Sequence, residues 1–204
     1  MLAIVDYGMA NLRSVQKAFE RQGHAAEIVS TPEAVRKADR LVVPGVGSFG
    51  DAIRVLNETG LAEAIKEHIK VGKPMLGICL GLQMLFEVGF EDGEHSGMGV
   101  IAGACRRFTV DRPPTNLKVP HMGWNALQWE RDVPLFKGLE PGCYAYFVHS
   151  YHGVPTDPGV IACTADYGGP FVAAIWKDNL LATQFHPEKS QQVGGVMLGN
   201  FAKM

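Results

Sequence analysis

No block of lysine and arginine stands out in this 204-residue sequence: 19 basic side chains stand against 21 acidic ones, leaving a formal charge of -2. Phosphate recognition relies on clustered positive charge, so no nucleic-acid partner is expected. Long apolar runs are missing too. The longest, Met75 to Phe86, is interrupted by Gln83 and falls well short of the roughly 20 residues that cross a bilayer. Cysteine is scarce, with four in all, at 79, 105, 143 and 163, and these form neither a Cys-x-x-Cys pair nor a zinc-ligand spacing. That argues against a disulfide framework and a zinc site, and leaves free thiols in a reducing compartment. The opening Met1-Leu2-Ala3-Ile4-Val5-Asp6 has no basic stretch and meets an acid at once, so it reads as a buried strand and not as a signal peptide. The expectation is a cytoplasmic protein with no membrane association. Repeats, low-complexity tracts and linkers are also lacking, which predicts a single domain over residues 1–204. With 47% hydrophobic residues, a domain of this size needs no staple to fold.

What is present in the first half is an alternation of short apolar runs with helix-period segments. Strands are expected at Leu2 to Val5, Ala26 to Val29, Leu41 to Val43 and Pro74 to Ile78. Between them, Leu12, Val15, Ala18 and Phe19 recur at helical spacing behind Asn11 and stop at Gly23. Thr31-Pro32 starts a second helix, and Asp51 to Asn57 and Leu61 to Ile69 give two more. Such alternation implies a mostly parallel central sheet covered by helices on both faces. After residue 98 the texture becomes β-rich: Val100 to Phe108, Tyr144 to His149, Val160 to Ala165, Phe171 to Trp176 and Leu180 to Gln184. The short connections predict an added antiparallel region, with a hairpin tip at Lys177-Asp178-Asn179 and a closing helix over Val193 to Phe201. The fold class is therefore α/β with an antiparallel addition in the C-terminal half.

The stretch richest in chemistry is Gly77-Ile78-Cys79-Leu80-Gly81-Leu82-Gln83, where an apolar strand enters, glycines flank a nucleophile, and Leu82, Leu85 and Phe86 suggest a departing helix. This is the layout of a nucleophile elbow, in which glycine removes the Cβ atoms that a sharp turn would bring into collision. A helix N-terminus there favours a thiolate, and the Leu80 N–H faces a developing oxyanion. A buried cysteine in a Gly-rich turn fits the same letters. His186-Pro187-Glu188 adds a second signal: two residues apart on an extended segment, the pair shares one side, as base and orienter. Gly45-Val46-Gly47-Ser48-Phe49-Gly50 matches G-x-G-x-x-G, yet it follows the third strand, and the next strand ends in Cys79 where a ribose-binding acid is wanted. A backbone-donor loop beside the elbow fits better, and a plain Gly-rich turn fits as well. His149-x-x-His152 on a strand points its rings to opposite faces, which disfavours a metal site. Asn57-Glu58-Thr59 is a chance glycosylation match.

Taken together, the elbow, Pro44-Gly45-Val46-Gly47 and His186-Pro187-Glu188 resemble a class I (triad-type) glutamine amidotransferase, over essentially the whole chain. Pro120-His121-Met122-Gly123-Trp124-Asn125, Tyr146-Phe147-Val148-His149-Ser150-Tyr151 and Lys189-Ser190 narrow the resemblance to glutaminase subunits of histidine biosynthesis, with the anthranilate synthase type as the alternative. The resemblance implies glutamine hydrolysis through a Cys79 thioester, with His186 as proton shuttle and Glu188 as its orienter. It implies an oxyanion hole from Gly45, Val46 and Leu80, and a grip on L-glutamine by Gln83, Glu91, His149, Ser150 and Tyr151. It further implies a heterodimer with a (β/α)8 cyclase subunit, contacted by Asn11, Met122, Trp124, Tyr146 and Lys189, and no cofactor or metal. Exposed Met, Trp and Tyr are typical interface anchors, although Trp124 and Tyr146 also suit a core. The Gly-rich loop is expected to rest with its donor N–H turned away and to flip when the partner is occupied. Cys105, Cys143 and Cys163 are expected to be structural.

Overall fold

The computed structural model describes residues 1–129 and 131–204. In chain order the elements of the first half are β1 (Leu2–Val5), α1 (Leu12–Arg21), β2 (Glu27–Val29), α2 (Pro32–Lys37), β3 (Arg40–Gly45), α3 (Phe49–Glu58), α4 (Leu61–Lys70), β4 (Met75–Cys79) and α5 (Leu80–Gln83). There follow β5 (Phe86–Gly89), β6 (His95–Ser96), β7 (Ile101–Arg107), β8 (His121–Ala126), β9 (Tyr144–His149), β10 (Tyr151–Pro155), β11 (Ile161–Asp166), β12 (Pro170–Lys177), β13 (Leu180–Thr183) and α6 (Gln191–Ala202).

Among the described residues the main sheet has seven strands in the order β11-β12-β13-β4-β3-β1-β2. Its middle is parallel, and β12 and β11 run antiparallel at one edge. β1 and β4 are buried along their whole length, as strands covered on both faces must be. Their side chains alternate between two cores. Leu2, Ile4, Leu76 and Ile78 join Val15 and Phe19 of α1 and Leu198 and Phe201 of α6, whereas Ala3, Val5 and Met75 join Val35, Leu56 and Ile65 of α2, α3 and α4. Asn11 and Thr31 cap α1 and α2 as their residue types predict, accepting from Ser14 N–H and Ala34 N–H. A smaller sheet, β10-β7-β5-β6, and the β8–β9 hairpin complete the fold. None of the described helices is long and apolar enough to cross a membrane.

Several sequence expectations change. The helix expected through Leu82, Leu85 and Phe86 is a single turn, and Phe86 opens β5 instead. The carbonyls of Met84, Leu85, Phe86 and Glu87 accept from N–H groups of residues 97–101, so long-range pairing overrides the local helical period. β8 and β10 are strands that apolar periodicity does not reveal, because one is exposed at Met122 and Trp124 and the other is interrupted by His152, Gly153 and Pro155. The tip between β12 and β13 is the two residues Asp178-Asn179, with Lys177 already paired to Leu180 and Asp178 at φ +54°. His149 and His152 do not point apart. The chain turns at Ser150 between β9 and β10, and both rings lie on Phe108, with centroids 5.1 and 4.6 Å away.

Candidate active site

The C-terminal ends of β3 and β4 lie side by side, with Gly45 registered opposite Cys79, the position where open α/β sheets place their ligands. Cys79 has φ +55° and ψ -107°, a strained conformation for a residue with a side chain. The flanking glycines explain how the turn closes. A Cβ on Gly77 would come within 2.8 Å of the Gly81 carbonyl oxygen, and one on Gly81 would overlap the carbonyl oxygen of Val43. Backbone rests on backbone at both points, so no side-chain adjustment relieves an added methyl. Because α5 is one turn long, it offers the Cys79 sulfur far less helix dipole than the sequence suggested.

His186 lies beyond the end of β13, on a stretch tied down at both ends. Gln184 N–H donates to Ala173 O on β12, and His186 N–H donates to Tyr146 O on β9 at 2.9 Å. Pro187–Lys189 forms one 3-10 turn, not the extended segment expected from the spacing. The turn still brings Glu188 Oε1 to 2.7 Å from His186 Nδ1, with both side chains 3% exposed. Burial opposes a charged imidazole, but Cys79 and Glu188 outweigh it and raise the His186 pKa well above its usual range. Nε2, the remaining ring nitrogen, is buried without a hydrogen bond of ordinary geometry, even though Cys79 is near enough to influence it. The ring thus has one nitrogen anchored and one available.

A cavity of about 360 Å³ is lined by Val46, Gly47, Cys79, Leu80, Gln83, Glu91, Pro120, Val148, His149, Ser150, Tyr151 and His186. The volume suits a small polar metabolite. Every residue expected to grip glutamine lines it, together with Cys79 and His186, the expected nucleophile and proton shuttle. Glu188 stands behind His186, and Gly45 stands one residue behind Val46. Gln83 donates both amide protons inward, to Tyr151 O at 2.9 Å and to Gln184 Oε1 at 3.2 Å. Glu91 accepts from the first N–H of α3, that of Phe49, at 2.7 Å.

The expected oxyanion donors are not all in place. Val46 N–H is engaged with Met9 O at 2.9 Å and so is not free to donate to an oxyanion at Cys79. Gly47, at φ +104°, lies next to it. Sequence reading also passed over Gln184, which is fully buried and donates to Cys79 Sγ at 3.7 Å. It passed over Tyr7, whose hydroxyl is buried without a partner against Gly45; burial, reinforced by Cys79, raises its pKa. Only the neighbouring motif letters hinted at either residue.

On the outward side of the β8–β9 hairpin, Met122 and Trp124 are 62% and 46% exposed. Tyr146 stands half-buried beside them, edge-on to Trp124 at 6.1 Å, and the ammonium of exposed Lys189 lies 6.0 Å from its ring centre. Trp124 and Tyr146 are therefore not core aromatics. Asn11 is exposed at the start of α1. Cys105 and Cys163 are buried and Cys143 half-buried, and burial pushes all three thiols up, Cys163 to about 12. That fits packing roles. No group of three or more metal-ligating side chains occurs among the described residues.

Comparison with known proteins agrees with this geometry. The family model "Glutamine amidotransferase class-I" matches residues 3–203. The "Imidazole glycerol phosphate synthase subunit HisH" of Syntrophotalea carbinolica is 53% identical over the whole of both chains. That of Rhodopirellula baltica is 54% identical, covering 99% of this chain and 97% of its own. Among solved structures, a glutamine amidotransferase superposes with a TM-score of 0.76 at 19% identity over the whole of both chains. The PurLQS structure from Thermotoga maritima gives 0.76 at 20%, covering 99% of this chain and 95% of that one. At such identities the structural likeness speaks for the fold. The full-length match and the close relatives go further: the chain belongs to the class I glutamine amidotransferases.

Proposed function

We propose that the chain is the glutaminase subunit of an imidazole glycerol phosphate synthase. In this reading residues 1–204 act as one amidotransferase domain in the cytoplasm. The domain hydrolyses L-glutamine to glutamate and supplies ammonia to a cyclase subunit that makes imidazole glycerol phosphate and AICAR in histidine biosynthesis. The observation that carries the reading is that Cys79 and His186 line one cavity with Glu188 held behind His186, in a chain about half identical over its full length to subunits of that synthase. The relatives' shared name weighs against the anthranilate synthase alternative.

Cys79 passes its proton to His186 Nε2, in keeping with the raised pKa of that ring, and the resulting thiolate attacks the side-chain amide carbon of glutamine. Glu188 holds Nδ1 and stabilises the imidazolium. The tetrahedral intermediate collapses as the C–N bond breaks, and His186 returns the proton to the departing ammonia. A water molecule, deprotonated by the same Nε2, then cleaves the thioester to release glutamate. Gln83 Oε1, left free because both amide protons are used inward, accepts from the substrate's α-ammonium, while Glu91, His149, Ser150 and Tyr151 complete the grip.

Leu80 N–H supplies one oxyanion donor. The second comes from Val46 once the Gly45–Val46 peptide rotates away from Met9, so the isolated subunit is expected to turn over glutamine slowly. Rotation follows docking of a separate (β/α)8 cyclase onto the face carrying Asn11, Met122, Trp124, Tyr146 and Lys189. The resulting heterodimer carries ammonia into the barrel before water can protonate it.

The test uses the chain with a cyclase subunit, assayed for glutamine-dependent and ammonia-dependent synthesis. Cys79→Ala should abolish the first, by at least about 10³-fold, and leave the second intact. Unchanged glutamine hydrolysis by this variant would overturn the mechanism. Equal turnover by the isolated wild-type subunit and the complex would exclude the rotating loop.

A further inference from the structure

Asn125, to which the mechanism above gives no part, begins a run of hydrogen bonds that ends inside the cavity. Its Oδ1 accepts from Ala126 N–H at 2.8 Å, which fixes the amide so that its nitrogen is the donor. One of the Nδ2 protons goes to Asp166 O at 2.7 Å, and the other points to His121 Nε2 at 3.3 Å. Nε2 is then an acceptor, so the His121 proton sits on Nδ1 and is donated to His149 Nε2 at 3.1 Å. His149 in turn carries its proton on Nδ1, 2.8 Å from Tyr151 O.

The opposite end of the run demands the same arrangement. Tyr151 O is a carbonyl oxygen and can only accept, so His149 Nδ1 has to be the donor. With both tautomers reversed the ring-to-ring contact would survive, but N–H would face N–H at Asn125 and lone pair would face lone pair at the Tyr151 carbonyl. Both rings stay neutral, because burial depresses the pKa of His121 to about 4 and that of His149 to about 3. Packing limits their rotation: His121 is stacked on Tyr167 at 4.1 Å and flanked by Phe147 at 4.9 Å. Tyr151 O also receives Gln83 Nε2, whose second proton goes to Gln184, which reaches Cys79 Sγ.

We propose that Asn125 and His121 are positioning residues for the glutamine pocket: they lock His149 as its Nδ1–H tautomer, which with Gln83 holds the Tyr151 carbonyl and keeps Gln83 Oε1 turned to the substrate. The inference rests on the glutaminase reading for its substrate but on the hydrogen-bond directions for its content. It gives an inward function to a hairpin whose other side is exposed.

Two measurements test it. Nitrogen-15 spectra of the histidine-labelled wild-type chain should show both His121 and His149 protonated at Nδ1; a His149 protonated at Nε2 overturns the proposal without any variant. Kinetics on the complex with the cyclase provide the second readout. Asn125→Asp presents only acceptors to His121 Nε2, which reverses the relay, and should raise the glutamine KM by about tenfold while kcat and ammonia-dependent synthesis change little. His121→Leu should behave alike, whereas His121→Asn, which keeps a donor near the Nδ1 position, should stay within about threefold of wild type. An unchanged KM in Asn125→Asp, or equal losses in His121→Leu and His121→Asn, would reduce the cluster to packing. A wild-type complex that releases no glutamate from glutamine would instead remove the glutaminase reading, with the tautomers still open to the spectra.

Discussion

The Gly77–Gly81 elbow and the β8–β9 hairpin serve the same cavity and are built by different means. The elbow is buried throughout and fixed by main chain resting on main chain, at Gly77 against Gly81 and at Gly81 against Val43. The hairpin contributes Val148 and His149 to the cavity, keeps His121 and Phe147 inward, and leaves Met122 and Trp124 to solvent. Its inner side is held by directed hydrogen bonds and stacked rings. A cysteine at a strained φ has to be held by contacts that cannot relax. A hairpin proposed to meet a partner needs one side organised by polar direction and the other left uncovered.

The sharpest way to break this contrast is Gly81→Ala. Its methyl would meet the Val43 carbonyl, so a loss of about 3 kcal/mol or more is expected in denaturant unfolding, together with loss of glutaminase activity. Near-normal stability would show that the elbow is softer than its geometry indicates.

Acid provides an intermediate test, directed at the inner side of the hairpin. In the unfolded chain His121 and His149 bind protons near pH 6.5, whereas in the fold they resist until about pH 4 and about pH 3. The unfolded state therefore binds more protons through that window. The stability they contribute is whole above about pH 6.5 and is lost as pH falls toward those lower values. Unfolding measured at about pH 7 and about pH 4.5 should differ, through His121 alone, by on the order of 2 kcal/mol. His121→Asn should reduce the difference by about that amount and leave the share of His149; an equal slope in that variant would place the acid sensitivity elsewhere.

The smallest effect on the fold is expected from Trp124→Ala. The isolated chain should keep its stability within about 0.5 kcal/mol, while affinity for the cyclase should fall by about 2 kcal/mol, read by titration calorimetry. A large loss of stability in the isolated chain would mean that the exposed side of the hairpin supports the fold as well.

Legibility in the sequence follows the same division. β1, β3, β4 and the helices around them are local periodic patterns, and β12–β13 is a hairpin with a polar tip, so all of these could be read. The Cys79 elbow could be read because glycine at 77 and 81 records a steric demand in the letters themselves. β5 could not, because Phe86 has a helical neighbour pattern, and only the distant residues 97–101 reclaim its carbonyls. The shared side of His149 and His152 has no local signature because the chain turns at Ser150, and Tyr7 and Gln184 reach the site without a motif of their own.

The layered α/β plan, the glycine-flanked elbow at Cys79 and the likeness to the amidotransferases are written in the letters alone, since periodicity, glycine placement and short motifs are local properties. It takes the folded chain to rest Val46 N–H on Met9, to bring Glu188 to His186 across a tight turn, and to line up Asn125, His121 and His149 in one direction of hydrogen bonding. Each depends on the orientation of groups brought together from distant parts of the chain, and orientation at a contact is fixed only when both partners are in place.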